Sequence, residues 1–184
     1  MLGYGINDGQ CNGDNQILLG NTAITQIRSQ VTSITAYSDK RFKNEIKEDV
    51  KGLDFIMRLK PVTYYENPEI LHQIWGTPDS IIKSFDFTQI KNTRFIGFIA
   101  QDVEIAAKES GWTNFPGIDI PKNDKEVYSL RYGDFIMPAI KAIQEQQQTI
   151  LKQQEQINAQ QQTINDLKTA VQEMQQQLNK LENK

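Results

Sequence analysis

"DFIMPAIKAIQEQQQTILKQQEQINAQQQTINDLKTAVQEMQQQLNKLENK" fills residues 134–184, and its spacing decides the architecture of the chain. Ile136, Ile143, Ile150, Ile157, Ile164, Val171 and Leu178 recur every seventh residue without a break. An isolated α-helix turns once in about 3.6 residues and has no reason to hold a strict seven-residue repeat. A left-handed coiled coil does. With these residues at heptad position a, position d holds Ala139, Gln146, Gln153, Gln160, Leu167, Met174 and Leu181. Three consecutive glutamines at d fit a core only where they hydrogen-bond to one another around a symmetry axis. Such polar layers weaken association but fix register and oligomer state. A parallel trimer is the preferred reading and a dimer the alternative. A disordered glutamine-rich tail is the competing reading, and the regular isoleucine spacing weighs against it. Pro138 falls in the first turn, where its missing N–H does no harm.

Before this helix, residues 38–133 read as a small mixed domain. "LDFIMRLK" at 53–60 carries Leu53, Ile56, Met57 and Lys60 at i, i+3, i+4 and i+7, a short amphipathic helix that Pro61 ends. "VTYYE" follows as a strand. Residues 67–93 look like a long excursion with turns at Pro68, Gly76 and Pro78. "RFIGFIAQ" at 94–101 is a nearly continuous apolar run, expected as a buried strand. "DVEIAAKES" reads as a helix stopped by Gly111. "EVYSLRY" at 126–132 alternates Val127, Ser129 and Arg131 with Tyr128, Leu130 and Tyr132, a strand pattern.

Residues 1–37 are rich in Gly, Asn, Thr and Gln, with turn signals at Asn12-Gly13 and Gly20-Asn21. The pieces between them, "QILLG", "TAITQI" and "QVTSIT", are β-prone but short and polar. Alone they bury little, and they gain from winding around identical strands of other chains. This segment is read as the end of a fibrous β shaft. The start, "MLGYGINDGQ", has no basic region followed by an apolar core and reads like the interior of a longer polypeptide. The fold expected is therefore α+β: a short β-fibre segment (1–37), a globular domain (38–133) and a C-terminal coiled-coil helix (134–184).

Composition removes several function classes. A net charge of -3 gives no reason to expect nucleic-acid binding. No run of eighteen apolar residues exists, so no membrane insertion is expected. The single cysteine, Cys11, has no intrachain partner, and no Cys/His cluster suggests a metal or cofactor. The one histidine, His72, lies in the 67–93 excursion and is expected in a surface loop. Asp102 and Glu104 pass for a carboxylate pair, but their place at a helix start favours a macrodipole role.

The stretch that invites chemistry is "AYSDKRFKNEI" at 36–46. Its plain reading is a turn or helix N-cap at Ser38-Asp39, followed by solvated cations. Four pieces together read otherwise: "SDKRFKNEI" at 38–46, "GLDFIMRLKPVTY" at 52–64, "GFIAQDVE" at 97–104 and "VYSLRYGDFIMPAIKAIQE" at 127–145. In this order they resemble the intramolecular chaperone auto-processing domain of phage tailspikes, tail fibres and endosialidases, over roughly residues 36–150. The resemblance implies a homotrimer that helps the upstream fibre segment of the same polypeptide fold and then cuts itself off. It implies a catalytic pair in the pattern Ser-Asp-x-Arg-x-Lys, which falls on Ser38 and Lys43, with Asp39 and Arg41 completing the motif. It also implies a virion tail fibre or a cell-surface fibre, made in the host cytoplasm. A non-catalytic trimerisation module of a fibre or adhesin is the alternative.

A serine hydroxyl is a weak nucleophile until a base removes its proton. A lysine serves only if its pKa falls from ~10.4 toward ~7–8, which burial and neighbouring cations promote. Asp39 opposes that shift if it pairs with Lys43, so it is assigned to the following backbone instead. Ser38 and Lys43 are five residues apart. On a helix that spacing leaves them about 140° apart, and on a strand it puts them on opposite faces. Either the chain turns sharply between them or Lys43 reaches Ser38 of another protomer. Attack by Oγ on the preceding carbonyl closes a five-membered ring, which favours the Tyr37–Ser38 bond. Cleavage between Ser38 and Asp39 stays open if the nucleophile comes from another chain.

Overall fold

The structure, a computed structural model, describes residues 17, 19–31 and 33–182. After a 3-10 turn at Lys40–Phe42, the elements run α1 (Leu53–Arg58), β1 (Val62–Tyr65), α2 (Pro68–Ile74), α3 (Asp79–Ile82), α4 (Thr88–Lys91), β2 (Arg94–Gly97), α5 (Ala100–Glu109), β3 (Ile118–Asp119), β4 (Ser129–Leu130), a 3-10 turn at Tyr132–Phe135, and α6 (Ile136–Glu182). Helix and sheet are thus mixed, and the last element is a single helix of 47 residues, about 70 Å long. Cys11 and the first sixteen residues of the expected shaft lie outside the described residues.

The main core gathers around Phe55. Its ring has no exposed surface, and it meets Trp112 edge-on at 5.4 Å, Phe115 at 5.0 Å and Phe135 at 6.3 Å between centroids. Val103, Ala106 and Ala107 of α5 close the other side. The stripe expected for α1 is therefore displaced. Phe55, Ile56 and Leu59 face the core, whereas Met57 is 75% exposed. Six residues make less than two turns, too few for a periodic stripe to outweigh one large aromatic ring. The helix ends before Pro61 because a residue preceding proline avoids the helical region. At its start Gly52 offers no side-chain cap, and Glu145 of α6 accepts the Leu53 N–H instead, at 2.7 Å.

β1 and β2 pair antiparallel, Val62 opposite Gly97 and Tyr65 opposite Arg94. The expectation of a fully buried strand at 94–101 is overturned. Phe95 and Gly97 turn inward, while Ile96 is 80% exposed. A two-stranded sheet has only one face covered by the rest of its own chain. The strand expected at 126–132 shrinks to Ser129–Leu130, paired with Ile118–Asp119. Beyond it the Tyr132 hydroxyl accepts the Phe98 N–H at 3.0 Å, and Arg131 ties Asp119, Asp134 and the Pro116 carbonyl together.

Residues 67–93 are not a loop. Pro68 opens α2 at its first turn, where a missing N–H costs nothing, and Gly76 takes a φ of 74° to end it. Three short helices then enclose a second core of Ile82, Phe87 and Ile90. His72, expected at the surface, is 1% exposed. It stacks on Phe85 at 5.4 Å, with Trp75 edge-on and Phe87 tilted beside it. Two threonine hydroxyls satisfy its ring nitrogens, Thr22 at 2.7 Å from Nε2 and Thr77 at 3.1 Å from Nδ1. The short helices gave no long periodic pattern to read, so their common core stayed hidden.

Burial pushes the His72 imidazole below its ordinary value. The folded chain then resists protonation that the unfolded chain accepts below about pH 6.5. Its contribution to stability is complete above that pH and declines as the pH falls toward the folded value. Urea midpoints measured from pH 7 to pH 5 are expected to fall, and a His72→Gln variant is expected to flatten that slope. Asp86 and Glu104, both held below their ordinary range by hydrogen bonds, act in a separate window below about pH 4.5.

Upstream of Ser38 no multi-residue strand forms among the described residues. Ile27 and Val31 are each 71% exposed and Ile34 98%. At the other end, Phe135 just before α6 is buried, and Pro138 and Ala142 turn one side of α6 into the domain. The seven-residue stripe lies on a different side: Ile136, Ile143, Ile150, Ile157, Ile164, Val171 and Leu178 are all about half exposed.

Candidate active site

The motif at 37–43 is built on one tight turn. Asp39 is the N-cap, with extended backbone at φ -74° and ψ 134°, and its Oδ1 accepts the Arg41 N–H at 2.8 Å. Lys43 N–H donates to the Lys40 carbonyl at 3.1 Å and closes the 3-10 turn. Lys43 itself returns to extended backbone, φ -95° and ψ 129°. Its side chain folds back over the turn, and Nζ donates to Ser38 Oγ at 2.6 Å. The sharp turn foreseen as one of two ways to unite a pair five residues apart is the one this chain adopts. No second chain is needed for the contact.

Arg41 keeps Asp39 away from that contact. Its Nε lies 3.0 Å from both Asp39 carboxylate oxygens, and a terminal nitrogen lies 2.6 Å from Oδ2. The Arg41 side chain, and then its backbone N–H, hold the Asp39 carboxyl below its ordinary range. Asp39 raises the Arg41 guanidinium in turn. The planar fork of arginine matches a carboxylate in a way a lysine ammonium does not. The anion of the motif is thereby committed to Arg41, and Lys43 is left to Ser38.

The site is open in the single chain. Ser38, Asp39, Arg41 and Lys43 are all exposed, and Tyr37 is 94% exposed. Two residues past Lys43, Glu45 has a φ of 50°, the one non-glycine residue with positive φ among those described. A glutamate in this region stores backbone strain, and it redirects the chain just beyond the pair.

The other candidates are engaged elsewhere. Asp102 sits in the first turn of α5. Glu104 accepts from Lys108 at 2.5 Å and from the Tyr128 hydroxyl at 2.9 Å. Those bonds, Lys108 first, hold its carboxyl low. A cleft of about 970 Å³ beside α5 is lined by Trp75, Trp112, Lys122 and Glu126 among others, and no residue of 37–43 borders it. Among the described residues no three His, Cys, Asp or Glu side chains converge as metal ligands, and no helix is long and apolar enough to cross a membrane. The Glu145 cap, the Glu104–Tyr128 bond and the Thr22–His72 bond escaped the sequence, because they join residues 92, 24 and 50 positions apart.

Comparison with curated proteins and with solved structures gives no match. A family model described as the chaperone of endosialidase, and named also as a peptidase, matches residues 38–112. The match opens on Ser38 itself and runs through α1, both strands of the first sheet, the three short helices and α5, ending at Trp112 of the main core. It stops short of the 127–145 stretch on which the resemblance also rests. Over residues 38–112 the chain is thus similar to the chaperone-of-endosialidase family.

Proposed function

We propose that the chain is a trimeric intramolecular chaperone, which helps an upstream fibre to fold and then releases itself by autoproteolysis next to Ser38. The observation that carries the catalytic half is the 2.6 Å contact between Lys43 Nζ and Ser38 Oγ, with Asp39 withdrawn onto Arg41. The half-exposed seven-residue stripe along α6 supports the trimer, since a parallel coiled coil covers that stripe. Ile96, on the uncovered face of the sheet, is further apolar surface for assembly to cover. The similarity of residues 38–112 to the chaperone of endosialidase supports a phage tail-fibre setting.

The chemistry follows from the geometry. With Nζ unprotonated, the contact reverses and the serine hydroxyl donates to the amine. Oγ attacks the Tyr37 carbonyl carbon through a five-membered ring, and its proton passes to Nζ. The tetrahedral centre collapses by breaking the C–N bond, and Nζ returns the proton to the Ser38 nitrogen. The product is an ester between Tyr37 and Ser38 Oγ. Water attacks that ester, leaving a carboxylate on Tyr37 and a free amine on Ser38. Asp39 and Arg41 hold the turn that keeps Oγ and Nζ together.

A non-catalytic assembly module with the same helix is the second reading, and the openness of the Ser38–Lys43 pair is the observation in its favour. Intact-mass measurement of purified protein separates the two. Autoproteolysis yields a fragment beginning at Ser38, about 17 kDa in proportion to 21.1 kDa for 184 residues, and Ser38→Ala keeps the chain whole. An intact wild-type chain, unchanged by Ser38→Ala, would leave only the assembly module.

A further inference from the structure

The three helices of 67–93 hold a piece of chain from the far side of the Tyr37–Ser38 bond. Gly20, with φ at 80°, begins a tight turn. The Ala23 N–H donates to Asn21 Oδ1 at 2.9 Å and the Ile24 N–H to the Asn21 carbonyl at 3.1 Å. This turn points Thr22 at the buried imidazole, Oγ1 lying 2.7 Å from His72 Nε2. Ala23 packs against the cluster of Ile82, Phe87 and Ile90. Among the described residues between Ile24 and Ser38, Ile27, Val31, Ile34 and Tyr37 are 71%, 71%, 98% and 94% exposed. The bond proposed to break thus follows these exposed residues, downstream of the seated turn.

We propose that α2, α3 and α4 form a receptor for the turn Gly20–Ile24, so that the N-terminal product remains seated on the domain after the bond next to Ser38 is cut. Cutting and letting go then become separate events. A buried, fully partnered imidazole suits the task, because pulling Thr22 away leaves Nε2 in an apolar site without a partner. The retention rests on the cleavage reading above, while the docking stands apart from it.

Two measurements test the proposal. In the full-length Ser38→Ala chain, amide hydrogen exchange reads the docking with no bond cut. Ala23→Asp, which places a carboxylate against the apolar cluster, is expected to speed exchange at Ala23 and Ile24 at least about tenfold while the α2 amides stay as they are. Equal rates with and without Ala23→Asp overturn the docking. In the cut wild-type protein, native mass spectrometry is expected to find fragment 1–37 still bound to 38–184, and to lose it with Ala23→Asp. A cut protein that has shed fragment 1–37, although Ala23 and Ile24 are protected in the uncut chain, overturns the retention. A wild-type chain that is never cut overturns the cleavage reading, and the retention with it, and leaves the docking to the exchange result.

Discussion

Lys43→Arg is expected to slow self-cleavage by about 10²–10⁴-fold, the usual worth of a positioned general base. The substitution separates two roles that Lys43→Ala confuses. In the structure Nζ is a donor to Ser38 Oγ, and a guanidinium keeps both the charge and the ability to donate. If Lys43 only steadies the turn, arginine replaces it well. If Lys43 takes the serine proton, arginine fails, because a guanidinium does not lose its proton in the working range. The readout is the rate at which the 21.1 kDa chain disappears in a time course after refolding. Lys43→Arg chains that cut at the wild-type rate would remove the lysine from the chemistry. Both side chains are exposed, so loss of fold is not a rival explanation.

What could be read ahead of the structure sorts by the range of the forces involved. The long helix was legible because Ile136 through Leu178 repeat one physical demand seven times, and a single exception would have been visible. The turn at 40–42 was legible only by elimination. Five residues of separation exclude a helix face and a strand face, but no spacing says whether the sharp turn comes from this chain or a neighbour's lysine takes its place. The commitment of Asp39 to Arg41 was half legible: an N-cap role follows from residue type, while the choice between Arg41 and Lys43 as ion partner is geometric.

His72 shows the opposite limit. Pro68 and His72 share a helix face, and both are buried. Yet a lone polar residue between Leu71 and Gln73 carries no sign that Phe85, Phe87 and a threonine fifty positions upstream will enclose it. The misreading of 94–101 has a different cause. A continuous apolar run announces that both faces of a strand want cover. In the single chain one face has it, and Ile96 does not. The trimer proposed above would supply cover that the single chain does not, and the apolar run alone does not say which of the two provides it.

Ile150→Asp combined with Ile157→Asp is expected to turn a trimer into monomers and to suppress cleavage with it. Each isoleucine buried in a coiled-coil core contributes about 1.5–3 kcal/mol, and three chains lose two apiece. The replacement also brings three carboxylates together at each layer, where like charges repel across a desolvated axis. Neighbouring layers cannot compensate, since Gln146, Gln153 and Gln160 occupy position d around them. Ala159→Asp is the control: it adds one carboxylate two residues from Ile157, about 200° around the helix and outside the seam. Sedimentation equilibrium in the Ser38→Ala background, where every chain is whole, should find the trimer with Ala159→Asp and the monomer with the double variant. Cleavage is then compared with Ser38 restored. Ser38 and Lys43 already touch within one chain, so assembly is not needed to bring them together. What the single chain lacks is cover, because both side chains are exposed and a lysine becomes a base by being buried. Monomers that cut as fast as trimers would show that the turn alone suffices. A double variant that remains trimeric would move the oligomer contact away from α6. Loss of both together would mean that the helix times the cut, holding the chaperone on its fibre until three chains have met.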